Sequence, residues 1–167
     1  MNLFILRHGL AVEPGTHRLS RDSDRQLTPK GKRKVREVAR AMKAMGLSFD
    51  LILTSPYVRA RQTAEIVAEE LHARKRLEIA DELKPGGSMD ELIERLGEAG
   101  GSPESVLIVG HEPYLSSLIS MLVFGKTGAS IVMKKAGLCK LSVEKLECRG
   151  CAALEWLLTP KVMGAVG

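Results

Sequence analysis

Four short apolar runs, each followed by a stretch that favours a helix, predict an α/β fold: a single three-layer α/β/α sandwich spanning residues 1–167. The runs are Leu3–Leu6, Phe49–Thr54, Leu77–Ala80 and Ser105–Val109, each too brief for a helix and apolar enough for a strand covered on both faces. A change to period-two alternation near the C-terminus adds an antiparallel hairpin at one edge of a mostly parallel sheet.

The first run, Leu3-Phe4-Ile5-Leu6, ends in Arg7-His8-Gly9. Residues 10–27 are polar and turn-rich, and a long loop leaving a strand end in a compact domain is often functional. Thr28-Pro29 reads as an N-cap followed by proline at the first helical position, with a helix to about Met45 and Gly46 placed to end it. After the second run, Ser55-Pro56 opens a helix whose inner face is Ala60, Ala64, Val67, Ala68 and Leu71, with Arg59 and Arg61 in its first turn.

The third run is weaker and leads to Asp81-Glu82-Leu83-Lys84-Pro85-Gly86-Gly87. Ser88-Met89-Asp90-Glu91 then forms a capping box before a short helix. The fourth run ends in Gly110-His111-Glu112-Pro113, and the helix after it places Leu115, Leu118, Ile119 and Leu122 at core spacing. In the tail, Cys139, Leu141 and Val143 alternate with Lys140, Ser142 and Glu144, and Leu154, Trp156 and Leu158 alternate with Glu155 and Leu157. The connecting Cys148-Arg149-Gly150-Cys151 reads as a hairpin turn with free thiols rather than half a zinc site, because no second cysteine pair exists.

Composition narrows the class. Apolar content of 44% and charged content of 27% are globular values. Arg7 interrupts the first apolar run, so neither a signal peptide nor a spanning helix is expected, and three cysteines do not make a disulfide scaffold. The expectation is a cytoplasmic protein with no membrane association. The net charge of +5 comes largely from Lys30, Lys32, Arg33, Lys34, Arg36 and Arg40 on one side of an amphipathic helix. That pattern is a solvated helix face, and with one Trp, two Tyr and three Phe there is little for base stacking, so no nucleic-acid partner is expected.

Three strands thus end in cations: Arg7 and His8, Arg59 in the helix just beyond, and His111. Ligands of open α/β sheets bind beyond the carboxyl ends of the strands. Gathering four potential cations there costs repulsion and desolvation unless an anion sits among them. Phosphate fits, since arginine offers forked donors and a helix N-terminus favours negative charge. A neutral imidazole can attack phosphorus and carry the phosphoryl group, with the flanking cations steadying its oxygens. The pattern contains no carboxylate cluster for Mg²⁺, no glycine-rich loop ending in lysine and no H-E-x-x-H, so neither a metal nor an organic cofactor is expected. His17 in the polar loop and His72 at a helix end read as solvated.

These stretches resemble the histidine phosphatase superfamily, also called phosphoglycerate-mutase-like. The resemblance rests on Leu6-Arg7-His8-Gly9, Leu27-Thr28-Pro29-Lys30-Gly31, Ser55-Pro56-Tyr57-Val58-Arg59-Ala60-Arg61-Gln62-Thr63-Ala64 and Val109-Gly110-His111, in the family's order over about two thirds of the chain. Short length and Asp24-Arg25-Gln26-Leu27-Thr28 make it look most like the SixA-type phosphohistidine phosphatases. The resemblance implies that His8 is the phosphorylated nucleophile and that Arg7, Arg59 and His111 form the phosphate pocket. It adds Arg25 as a substrate-binding candidate, beside Gly9, whose missing side chain lets backbone approach the anion closely, and places Glu82 where larger relatives carry a general acid. Leu10 departs from the polar residue expected after the R-H-G triplet.

The expected activity is hydrolysis of phosphohistidine on a partner protein. Only one short helix is predicted between Ala80 and Gly110, which leaves little chain for a lid, and an open pocket admits a side chain on a folded partner. A mutase must instead shield its phosphoenzyme from water. The alternatives are a phosphatase of small phosphate esters and a phosphate-binding module without turnover.

Overall fold

Strand β1 (Asn2–Arg7) lies inside a six-stranded sheet of order β3-β2-β4-β1-β5-β6, and the rest of the chain is laid out around it. Its neighbours are β2 (Leu51–Thr54), β3 (Leu77–Ile79), β4 (Ser105–Gly110), β5 (Leu138–Val143) and β6 (Ala152–Leu158). β1, β2, β3 and β4 run parallel, while β5 and β6 are antiparallel and close one edge. The computed structural model describes residues 1–15, 21–100, 103–146 and 149–166. His17, Cys148 and part of the loop before β4 lie outside the described residues.

β1 is apolar on both faces because both are covered. Phe4 and Leu6 join the core beneath α1 (Pro29–Ala44) and α2 (Val58–Glu70), while Leu3 and Ile5 join the core beneath α3 (Met89–Gly97) and α4 (Tyr114–Phe124). All four side chains are 3% exposed or less, and burying each contributes about 1.5–3 kcal/mol. This is the expected α/β/α layering. A short C-terminal helix, α5 (Pro160–Met163), packs on α1. Among the described residues no helix is long and apolar enough to cross a membrane.

The helix punctuation follows local chemistry. Thr28 caps α1 by accepting the Gly31 N–H at 2.9 Å, and Gly46 (φ 72°) ends the segment in the left-handed region. Gly31 is required by contact, since a Cβ there would lie 2.0 Å from the Leu10 carbonyl oxygen. Ser88 caps α3 through the Glu91 N–H, as the capping box predicts. Helix α2 begins at Val58 rather than at Pro56, because Ser55 is drawn into side-chain hydrogen bonds instead.

The hairpin departs from strict alternation. A register shift at Lys140/Leu141 pairs Lys140 with Trp156 but Leu141 with Leu154, leaving Glu155 as an extra residue on β6. Trp156 therefore still packs its ring against Phe4 at 5.9 Å, while Leu154 is 42% exposed. β5 starts opposite Leu6 and runs toward Asn2, so the end of β5 and the start of β6 lie at the end of the sheet away from His8. Cys139 is buried and Cys151 half-buried, both as free thiols.

Candidate active site

The carboxyl ends of β1, β2 and β4 are tied together by backbone hydrogen bonds, His8 N–H to Gly110 C=O and Ser55 N–H to Val109 C=O. This is what brings distant residues together: the rings of His8 and His111 lie 5.1 Å apart, and Arg59 Nε lies 3.4 Å from His8 Nε2. His8, Arg59 and His111 are 7%, 5% and 2% exposed. Arg7 is anchored by its Nη1 donating to the Met133 carbonyl at 2.7 Å. The four expected side chains converge.

A hydrogen bond fixes the tautomer of His8. His8 Nδ1 lies 2.7 Å from the Gly9 carbonyl oxygen, which can only accept, so Nδ1 carries the proton and Nε2 keeps its lone pair. Burial pushes the His8 pKa down to about 4, helped by the charges of Arg59, Arg7 and Lys135 and opposed by the Gly9 bond. At the second ring, His111 Nε2 meets Ser55 Oγ at 2.8 Å, and the same oxygen accepts the Tyr57 N–H at 3.3 Å.

The Ser55 oxygen accepts the Tyr57 N–H and has its own proton available for His111 Nε2; in the tautomer where it donates there, His111 Nδ1–H is a donor. Among the described residues His111 Nδ1 and Arg7 Nε are buried without a hydrogen-bond partner, as donors kept for an oxyanion would be. Burial pushes the His111 pKa down to about 3, with the His8 and Arg59 charges adding to it and Asp22 opposing. Both rings are therefore neutral near pH 7. Burial also lowers the Arg7 pKa, and the nearby Glu112 carboxylate offsets part of that cost.

The remaining expected residues lie further out. Gly9 turns its N–H to Thr63 Oγ1 at 3.1 Å, and a Cβ on it would come within 2.6 Å of Val35 Cγ2. Its close approach is thus to α1. Arg25 donates to the Val12 carbonyl and to Asp22, and touches none of the four central residues through a hydrogen bond among those described. Glu82 is held by Arg95 Nη1 at 3.2 Å, beside the Arg95–Glu78 pair. No hydrogen bond or ion pair among the described residues joins Glu82 to Arg7, His8, Arg59 or His111. It instead lines a groove of about 980 Å³ with Glu78, Glu91, Glu94 and Glu98, whose acidic walls are unsuited to phosphate.

Three contributors are not evident in the sequence. Asp22, in a short 3-10 turn (Asp22–Asp24), accepts Arg59 Nη2 on Oδ2 at 3.0 Å and Arg59 Nη1 on its backbone oxygen at 2.7 Å. Ser55 orients His111. Ala136, at φ 60°, divides its N–H between the carbonyls of Arg7 and His8, a backbone conformation unusual for alanine that holds the segment bearing Lys134 and Lys135 beside the site. Among the described residues no group of three or more His, Cys, Asp or Glu side chains is placed to hold a metal ion.

Residues 3–87 match the sequence model of the histidine phosphatase superfamily (branch 1), just over half of the chain. The chain belongs to the histidine phosphatase superfamily. This superfamily member is 32% identical over 130 residues to the phosphohistidine phosphatase SixA of Escherichia coli (strain K12), covering 76% of this chain and 77% of that one. It is 39% identical over 140 residues to an uncharacterized protein of Picosynechococcus sp., covering 83% and 82%. Its fold matches the structure of the protein histidine phosphatase SixA complexed with tungstate, with a TM-score of 0.83 at 27% identity over 96% of this chain and 98% of that one. The superfamily's fold, a phosphoglycerate-mutase-like mixed sheet between helical layers, is the one described above.

Proposed function

We propose that this histidine phosphatase superfamily member removes phosphoryl groups from phosphohistidine on a partner protein, through a covalent phospho-His8 intermediate. The observation that carries the reading is the His8 ring, neutral, oriented by Gly9 through Nδ1, and presenting the Nε2 lone pair beside Arg59 Nε. The names of the SixA relatives support phosphohistidine as the substrate class.

In the first step the Nε2 lone pair forms a bond to phosphorus as the substrate's phosphorus–nitrogen bond breaks, its electron pair leaving with the imidazole. Arg7, Arg59 and His111 Nδ1–H donate to the phosphoryl oxygens, and a well-placed donor of this kind is worth about 10²–10³ in kcat. In the second step water attacks phospho-His8, the nitrogen–phosphorus bond breaks, and inorganic phosphate leaves. An imidazole protonated on its remote nitrogen departs neutral and needs no proton from an acid, so Glu82 is assigned no step with this substrate.

The test is one screen of the wild-type protein against a phosphohistidine protein, an aryl phosphate and an alkyl phosphate. The highest kcat/KM is expected on phosphohistidine. Turnover of the alkyl phosphate with phosphohistidine untouched would overturn the substrate assignment.

A further inference from the structure

We propose that Asp22 is a specificity-determining residue, whose carboxylate favours a phosphoryl group carried on a protonated imidazole over one carried on an alcohol. This role rests on the phosphatase reading above and deepens it. Its basis is the Arg59 guanidinium, whose Nε faces His8 Nε2 at 3.4 Å while Nη1 and Nη2 are held by the Asp22 backbone oxygen at 2.7 Å and by Asp22 Oδ2 at 3.0 Å. A phosphoryl group beside the nucleophile would engage the guanidinium at Nε and Nη2, so it shares Nη2 with Asp22. Asp22 therefore places a negative charge on the same guanidinium that faces the nucleophile.

The carboxylate is held there from two sides. Arg25 Nη1 donates to Oδ1 at 2.8 Å, and Arg25 is itself fixed by Nε donating to the Val12 carbonyl at 2.8 Å. This gives Arg25 a positioning role through Asp22. His8, Arg59 and His111 are buried, whereas the Asp22 side chain is 53% exposed, so Asp22 stands on the solvent side of the cluster. The part of a substrate that stays outside the pocket passes that side.

The consequences follow from charge. Every phosphoryl group meets the same repulsion from Asp22, which raises the cost of binding phosphate esters and free phosphate alike. A phosphohistidine ring protonated on its remote nitrogen recovers that cost, because it is cationic and offers an N–H to the carboxylate. A serine-type ester offers neither. The attraction acts while the ring is charged and fades as it departs neutral, so its effect belongs in KM more than in kcat.

The test compares wild type with Asp22→Asn on a phosphohistidine protein and on p-nitrophenyl phosphate, and measures inhibition by inorganic phosphate. Asp24→Asn is the control, removing the same charge from the same turn. In Asp22→Asn the ratio of kcat/KM for phosphohistidine to that for the aryl phosphate should fall about tenfold, the scale of one charge-assisted hydrogen bond, mainly through KM. Inorganic phosphate should inhibit that variant more strongly, and Asp24→Asn should change neither. An unchanged ratio overturns the proposal, including the case in which both substrates lose equally because the turn is merely structural. If the wild type ignores phosphohistidine, the substrate reading fails by itself, and phosphate inhibition still decides whether Asp22 opposes the anion.

Discussion

Replacing Arg59 by alanine probes the pocket where the geometry is most specific. Its Nε lies beside His8, while Nη1 and Nη2 already serve Asp22. A hydrogen bond to a charged group contributes about 1.5–3 kcal/mol, and with both Nη atoms engaged by Asp22 an incoming oxyanion gains close to one full bond. Arg59→Ala should therefore weaken vanadate or tungstate binding about 10–100-fold. Arg59→Lys, which keeps the charge but loses the fork, should recover only part of that loss. Titration calorimetry with tungstate gives the affinity directly, and vanadate inhibition of aryl phosphate hydrolysis gives it independently. A thermal melt controls for folding, since Arg59 is only 5% exposed. Affinity within about twofold of wild type in a folded Arg59→Ala protein, far below the loss of one charged hydrogen bond, would remove Arg59 from the pocket.

The two depressed histidines make a pH prediction. In the native protein His8 titrates near 4 and His111 near 3, against 6.5 for an ordinary histidine, so below about pH 6.5 the unfolded chain takes up protons that the native state refuses. Stability should fall as pH drops from 6.5 toward 4, and His8→Gln should flatten that slope in urea melts; a slope unchanged by the substitution contradicts a buried neutral His8. Glu82→Gln should leave phosphohistidine turnover within about twofold, because the carboxylate lies with Arg95 rather than the histidines, whereas a loss of the roughly 10²–10⁴ typical of general acid catalysis would restore it as a proton donor. Cys151→Ser should leave turnover unchanged, since the start of β6 lies at the end of the sheet away from His8, and a large loss would contradict that placement.

The parts of the site legible in the sequence are those carried by strong local patterns. Apolar runs announce β1, β2 and β4, and in a parallel sheet their carboxyl ends share one edge, so Arg7, His8, Arg59 and His111 could be brought together from the sequence. Asp22 could not. It sits in a polar loop beside a second carboxylate, Asp24, and only the folded path of that loop shows which of the two reaches Arg59. Ser55 reads as a helix opener because its bond to His111 spans 56 residues. The segment carrying Met133 and Ala136 has no periodicity to announce it, and a left-handed alanine is a choice made by tertiary contacts. Glu82 shows the opposite limit: its position after β3 follows from the sequence, but its pairing with Arg95 does not.

The central claim is that His8 carries the phosphoryl group during turnover. Rapid quenching of the wild-type protein with a ³²P-labelled phosphohistidine protein, followed by peptide mapping, tests it most directly. The account predicts an acid-labile, base-stable label on the peptide containing His8, formed and lost at rates consistent with turnover and absent from His8→Ala. Turnover without any trapped label, or a label on His111 instead, would contradict it.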